Sequence, residues 1–237
     1  MLGLVLWPLA QPQEDDRIAR RLALAVLVLG VTAVLLVRLV PPWTSRHPQA
    51  ASVVHYADLD SGRHWRLNTG VGLPDWTRQA LLVEGGKLAT VPAPGASLKP
   101  AQGAAARAVK TVGPPAVTLA RLPSGDLRLT ATPAAGAYSL ALSLKADGPM
   151  RAAELEGQPV NLLREGEAWA RVQWYGSRNV TLVLRPAPET RGLEVRYGST
   201  VLGWPADAAP LPERPPEVSG FNVSDSLVVG GRKRFTW

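Results

Sequence analysis

Between residues 117 and 197, apolar and polar side chains alternate in six short segments, and this pattern constrains the fold more than any other feature. A period of two is typical of strands that bury one face. Turn sequences such as Pro123-Ser124-Gly125-Asp126 separate the segments, which lie about ten residues apart. The fold class predicted is mainly β, with an antiparallel β-sandwich over residues 107–204. The six predicted strands are 117–121, 127–132, 138–145, 168–175, 179–185 and 193–197.

A smaller hairpin and helix unit, residues 52–90, is predicted before the sandwich. Residues 52–58 and 63–69 are predicted strands joined by a turn at Asp60-Ser61-Gly62, and Asp75 is predicted to cap a short helix from Trp76 to Leu82. Two further segments complete the domain organisation. Residues 91–106, rich in Pro, Gly and Ala, are a predicted linker, and residues 205–237 are a proline-rich segment with a C-terminal strand at 226–229.

A run of 16 residues without charge, residues 22–37, predicts one transmembrane α-helix before the β domains. Counted through Arg38 to Trp43, the segment reaches the roughly 20 residues that cross a hydrocarbon core of about 30 Å. As a membrane anchor, Leu22 and Val37 would lie in lipid, Arg38 would reach the headgroups and Trp43 would lie at the interface. The alternative is a cleaved signal peptide, which the long acidic lead before the run disfavours.

The flanking charges predict an orientation for this helix, because three arginines precede the run and Arg38 and Arg46 follow it. The positive-inside rule then places the N-terminus in the cytoplasm and the β domains outside, in a bacterial periplasm. Residues 1–21 are predicted to be an N-terminal remnant and a cytoplasmic loop. Residues 1–10 resemble the last turns of another membrane helix; a disordered or interfacial N-terminus is the alternative. The expected location is the inner membrane, with membrane lipid as one partner.

Composition excludes several classes of protein. The chain carries 26 Lys and Arg against 19 Asp and Glu, a formal net charge of +7, and has no cysteine. Disulfides, thiolate zinc sites and cysteine nucleophiles are therefore excluded. The charges are interleaved, and the one local basic cluster is Arg232-Lys233-Arg234. No basic stripe of the kind that binds phosphates is present, so we expect no nucleic-acid partner.

Two of the three histidines suggest a metal cluster, in which His55 and His64 would be joined by Asp58 and Asp60. A two-residue turn at Ser61-Gly62 would place the two imidazoles about 13 Å apart. The two aspartates would point to the opposite face of the strand from His55. We therefore predict no metal site and no cofactor.

The sequence contains none of the usual catalytic motifs. Zinc-protease, nucleophile-elbow, phosphate-loop and dinucleotide patterns are all missing. The carboxylate pairs Glu154/Glu156 and Glu165/Glu167 lie beside glycines in loop-like stretches and are predicted to be solvated. No catalytic residue is predicted, and we expect this chain to be no enzyme.

Tryptophan is the aromatic residue in excess, with 8 in the chain. Trp169 and Trp174 fall on opposite faces of one predicted strand, so at least one is exposed or covered by another element. Amphipathic rings are enriched at protein interfaces. We therefore predict an interface with a partner domain at Trp65, Trp76, Trp169 and Trp174; a sugar-stacking platform is the alternative.

Two motifs carry a family resemblance. The stretch YADLDSGRHW at 56–65, followed by PDWTRQ at 74–79, resembles the region after the last membrane helix in large bacterial membrane-bound metallopeptidases of peptidase family M twenty-eight. The segment SDSLVV at 224–229 is similar to the tail of that family. Its members carry a zinc aminopeptidase domain, then several membrane helices, then a β-rich extracytoplasmic domain.

The resemblance implies that this chain corresponds to the last helix and the end domain. No position matches the family's His-x-Asp motif or its other zinc ligands, so no ligand is carried over. What it implies is a membrane-anchored, non-catalytic accessory portion that positions or docks a peptidase catalytic domain, in cis or in trans. The alternative function is a tethered binding module for glycan or protein.

Overall fold

The computed structural model describes residues 16–39, 43–92, 94–97, 99–111, 113–162 and 169–237, with the backbone alone at 16–19 and 36–39. The chain divides into two compact units, residues 1–47 and 48–237. The described part of the first contains helix α1 (Asp16–Leu39), and that of the second contains helix α2 (Asp75–Leu82) and fifteen strands.

The prediction of a transmembrane helix is wrong, and the inner-membrane location that depended on it is withdrawn. No helix in the described residues is long and apolar enough to cross a membrane. Helix α1 has 24 residues, but charged residues lie in its first turns and Arg38 lies near its end. The uncharged run between them, residues 22–37, has 16 residues. At 1.5 Å per residue that run is about 24 Å long, short of a hydrocarbon core of about 30 Å.

The four residues predicted to anchor the chain lie in or just after α1. Leu22 is exposed on the helix, and Trp43 is exposed four residues beyond its end. Val37 and Arg38 belong to the part of α1 described by its backbone alone. The predicted remnant of a preceding helix, residues 1–10, lies outside the described residues.

The strands are numbered in chain order and form three sheets. They are β1 (Gln49–Ala51), β2 (Val53–Asp58), β3 (His64–Asn68), β4 (Leu88–Val91), β5 (Ala101–Ala106), β6 (Ala116–Arg121), β7 (Leu127–Thr132), β8 (Ser139–Ala146), β9 (Met150–Leu155), β10 (Gln158–Val160), β11 (Ala170–Tyr175), β12 (Val180–Pro186), β13 (Gly192–Leu202), β14 (Val218–Gly220) and β15 (Ser226–Thr236).

The largest sheet has eight strands in the order β11-β8-β13-β15-β2-β3-β5-β4. Adjacent strands in this sheet run antiparallel, except for β15 and β2, which run parallel. A five-stranded antiparallel sheet has the order β10-β9-β12-β7-β6, and β1 pairs with β14 in a short parallel ribbon. The mainly β prediction is therefore confirmed.

One face of the eight-stranded sheet, which we call the inner face, is covered by two different layers. Over β11, β8 and β13 the cover is the five-stranded sheet, consistent with the predicted β-sandwich. The alternation in β7 shows why: Leu127, Leu129 and Ala131 are buried in the shared core, whereas Arg128 is exposed. Over β2, β3 and β5 the cover is helix α2, which inserts Trp76, Ala80 and Leu81.

Helix α2 begins one residue earlier than predicted. Asp75 is its first residue rather than its cap, and Pro74 occupies the N-cap position without a side-chain hydrogen bond. A proline before the first turn costs no hydrogen bond, because the first amides of a helix have no partner within it.

Strand β15 joins the segments that the sequence separated. It pairs with β13 over eleven residues and with β2 over five, so it lies between the sandwich and the hairpin. The predicted final strand at 226–229 is only its first part. Residues 91–106, predicted as a linker, include β5, which extends the same sheet beyond β3.

The opposite, outer face of the eight-stranded sheet is crossed by residues 94–97 at a patch of glycines. Gly198 of β13 pairs with Gly230 of β15, and Gly95 lies above them with φ of +55°. A Cβ atom on Gly230 would lie 2.5 Å from the carbonyl oxygen of Tyr197 and 2.9 Å from Cα of Gly95. These are backbone atoms on both sides, so the close approach requires glycine.

We expect Gly230→Ala to lower the free energy of unfolding by about 2–3 kcal/mol, as overpacking does in a tight interior. Chemical denaturation monitored by tryptophan fluorescence measures this loss. Gly198→Ala is the matched control, because its Cβ would meet its nearest atom at 3.4 Å. Equal losses for the two variants would contradict the steric explanation.

Candidate functional site

The β2–β3 hairpin places the residues of the YADLDSGRHW motif on two opposite faces. His55 pairs with Arg66 in the antiparallel register, and Tyr56 pairs with Trp65. Because direct partners share a face, His55 and Arg66 lie on the inner face, and Tyr56 and Trp65 lie on the outer face. The two faces have different surroundings and different chemistry.

The predicted separation of the two histidines is wrong. Nε2 of His55 lies 3.1 Å from Nδ1 of His64. The turn is longer than a two-residue loop, because His64 pairs with Ala57 rather than with Leu59. This shift of two residues along the strand makes the histidines diagonal neighbours on one face.

The hydrogen bonds of the histidine pair define its proton positions. The backbone N–H of Val109 points at Nδ1 of His64, 3.4 Å away, so this nitrogen accepts and Nε2–H of His55 donates to it. Nδ1 of His55 is buried with no partner among the described residues. Burial lowers the pKa of His55 to about 4, with a further contribution from the positive charge of Arg66, and burial also lowers the pKa of His64. The pair is therefore neutral at pH 7.

Arg66 is fully buried beside this pair and is held by an ion pair and two carbonyls. Its guanidinium donates to Oε1 of Glu84 from Nε at 3.1 Å and from Nη2 at 2.9 Å. It also donates to the carbonyl oxygens of Ala80 and Ala209. The ring of Trp204 covers the guanidinium, with 4.9 Å from Cζ to the ring centroid. The inner face is thus filled by protein groups.

The part of the chain that the structure describes contains no group of three or more His, Asp or Glu side chains that could hold a metal ion. The histidine pair has no third ligand there.

We expect stability to fall on acidification because of His55. Its pKa is near 6.5 in the unfolded chain and about 4 in the folded one, so below pH 6.5 the unfolded chain binds a proton that the folded chain does not. The free energy of unfolding should fall by on the order of 2 kcal/mol between about pH 7 and pH 4.5.

Urea titrations at several pH values measure this loss, and His55→Gln should flatten the profile. His47→Gln, which alters an exposed histidine outside the hairpin, is the control and should keep the wild-type slope. Parallel profiles for wild type and His55→Gln would show that His55 is not the titrating group.

The outer face of the hairpin borders a cavity of about 410 Å³. The cavity lies between the hairpin turn, residues 92–95 and the neighbouring strands β13 and β15. It is lined by Tyr56, Asp58, Asp60, Ser61, Arg63, Trp65, Val91, Pro92, Pro94, Gly95, Arg196, Gly231 and Arg232. Asp58, the last residue of β2, lies on the strand face opposite His55 as predicted, whereas Asp60 lies in the turn beyond the strand.

Hydrogen bonds at and beside the turn hold the two carboxylates of the cavity in place. Asp58 accepts hydrogen bonds from the backbone N–H of Asp60 and from the hydroxyl of Ser61. Oδ2 of Asp60 accepts the backbone N–H of Arg232 at 2.9 Å, and burial raises the pKa of Asp60. Both side chains therefore act as hydrogen-bond acceptors in the cavity wall.

The donors of the cavity are guanidinium groups and one phenol. Arg63 is exposed at the turn and forms no salt bridge with any described residue. Arg196 pairs with Glu194 at 3.1 Å, and Nε of Arg232 lies 3.7 Å from Asp60. The oxygen of Tyr56 accepts the backbone N–H of Gly95 at 2.8 Å, and burial raises the pKa of this phenol.

The four candidate interface tryptophans have different environments. Trp65 is partly exposed in the cavity wall, and Trp169 is partly exposed beneath Arg196, with 4.6 Å from Cζ to the ring centroid. Trp76, on α2, is buried and donates to the carbonyl oxygens of residues 212 and 213. Trp174 is partly exposed and packs against the sandwich core, with its Nε1 buried. Trp65 and Trp169 are the partly exposed tryptophans of these four that lie on the outer face.

The paired carboxylates have structural partners where they are described. Glu154 forms a salt bridge with Arg185, and Glu156 accepts the backbone N–H of Thr181. Glu165 and Glu167 lie outside the described residues. The Glu154 and Glu156 side chains therefore serve the five-stranded sheet.

Comparison with known proteins adds no family assignment. A scan against protein-family models finds no match, and a search of the curated proteins finds no similar one. The geometry of the described residues therefore carries the functional argument.

Proposed function

We propose that this chain is a non-catalytic accessory domain that docks a second protein domain on the outer face of its eight-stranded sheet. The observation that carries the proposal is the position of Trp169 on that face, between two cations. The guanidinium of Arg196 stacks on its ring, and the ammonium of Lys145 lies 5.8 Å from the ring centroid. Stacked cations hold the aromatic ring in one orientation, ready for contact.

The charge of this face favours an acidic partner. Five basic side chains project from neighbouring strands there, against three acids: Glu194, bonded to Arg196 and Arg234, and Asp58 and Asp60 at the hairpin, the latter beside Arg232. The excess of positive charge would steer a partner with a negative surface and fix its orientation. The basic residues are Lys145, Arg171, Arg196, Arg232 and Arg234.

The family resemblance supports the identity of the partner. It implies a zinc peptidase domain of family M twenty-eight, in the same polypeptide or in a separate one. Of the residues predicted for this interface, Trp65 and Trp169 lie partly exposed on the outer face, whereas Trp76 is buried and Trp174 packs against the sandwich core on the inner face.

The test is a pull-down of a zinc peptidase domain of that family after co-expression with this chain. We expect stable association, and we expect Arg171→Glu combined with Trp169→Ala to weaken it at least tenfold, because both a charge and an aromatic contact are lost. Arg128→Glu is the matched control, since Arg128 is exposed on the five-stranded sheet. No association with wild type, or an equal loss with Arg128→Glu, would refute the docking proposal.

A second candidate function is a binding module for glycan. The cavity beside Trp65 favours it, because a concave site with one aromatic wall and several convergent polar groups suits a small polar ligand better than a flat protein surface.

A further inference from the structure

We infer that the cavity on the outer face of the β2–β3 hairpin binds an acidic saccharide, one or two sugar rings carrying a carboxylate. The inference deepens the glycan-binding candidate and does not depend on the docking of a protein domain. Four properties of the cavity lead to this ligand class: its charge, its aromatic wall, its hydrogen-bonding groups and its size.

The charge of the lining favours a ligand with one negative charge. Of the three guanidinium groups in the lining, Arg196 pairs with Glu194 and Arg232 lies against Asp60. Arg63 has no acidic partner among the described residues, so its fork is free to bind a carboxylate in a bidentate manner. A phosphate would bring nearly two charges close to both aspartates, and the repulsion disfavours it.

The aromatic wall gives the ligand a flat apolar surface to pack on. Trp65 is half-buried, so its indole is held in place by the sheet while part of the ring stays accessible. Pro92 and Pro94 line the cavity as well. A sugar ring combines apolar C–H faces with a polar rim, which suits a cavity with this mixture of groups.

The remaining polar groups require hydroxyls on the ligand. Oδ1 of Asp60 receives no hydrogen bond from a described residue, and a carboxylate accepts up to about four. The hydroxyl of Tyr56 accepts from Gly95, and no described residue accepts its own proton. A ligand with several hydroxyls can donate to Asp60 and accept from Tyr56, whereas a simple carboxylate can accept from Tyr56 but has no donor for Asp60.

The size of the cavity sets the length of the ligand. Its volume of about 410 Å³ falls at the lower end of the range for small-molecule sites, which is roughly 300–1,000 Å³. One sugar ring or a disaccharide fits this range, and a longer chain would have to extend along the open sheet.

Isothermal titration calorimetry of the full chain tests the inference with three probes: glucuronate, glucose and glucose 6-phosphate. We expect glucuronate to bind with a Kd at or below the millimolar range, and glucose to bind at least tenfold more weakly because it lacks the anion. Equal binding of glucose and glucuronate, or tighter binding of the phosphate, would overturn the assignment, as would no binding of glucuronate.

Variants locate the site. Arg63→Gln and Trp65→Ala should each weaken glucuronate binding at least tenfold; Arg63 is exposed at a turn, so its variant keeps the fold even if Trp65→Ala does not. Arg121→Gln, an exposed arginine at the far edge of the five-stranded sheet, is the control and should bind like wild type. Full binding by Arg63→Gln would refute this site.

The two proposals fail independently. Loss of docking in Trp169→Ala with intact saccharide binding supports the cavity as a separate site. Docking without any saccharide binding removes the cavity assignment alone.

Discussion

The buried guanidinium of Arg66 is the interaction on which the rest of the domain depends. It connects β3 to Glu84 just after α2, to the carbonyl of Ala80 within that helix, and to Ala209 in the proline-rich segment. Removing one partner of such a pair leaves a buried charge with neither a counter-ion nor water, which lowers the free energy of unfolding by about 3–5 kcal/mol. The packing of three distant stretches of chain is therefore coupled through one side chain.

Because of this coupling, the inner face of the hairpin has a structural role and the outer face is available for binding. On the inner face the polar side chains have structural roles. Arg66 is neutralised by Glu84, and the two histidines are hydrogen-bonded to each other. With that face fixed, the alternate residues of the same strands hold Tyr56 and Trp65 in a defined orientation on the outer face. A rigid scaffold under a half-open aromatic wall is the arrangement that preorganised binding sites use.

Much of the fold could be predicted from the sequence because local patterns determine it. The alternation in β7, β8 and β12 predicted strands close to the observed ones, and Asp60-Ser61-Gly62 predicted the turn. Register could not be predicted, since the same turn residues allow different loop lengths, and a two-residue error moved His64 away from His55. Strand β15 was found only in part, because Gly230, Gly231 and the three basic residues after them interrupt its alternation. The cavity depends on long-range pairing of β15 with β2, which no local pattern encodes.

The position of β15 has a consequence for how the chain acquires its structure. Along the sequence β15 is the last strand, yet in the sheet it separates β13 from β2. The ribosome therefore synthesises the hairpin and the sandwich strands before β15, the strand that joins them in one sheet. During synthesis the sheet exists as two fragments, each with an unpaired edge, and slow nonlocal closure leaves those edges open to wrong partners. Pairing of β15 with both β13 and β2 is therefore the step that completes the eight-stranded sheet.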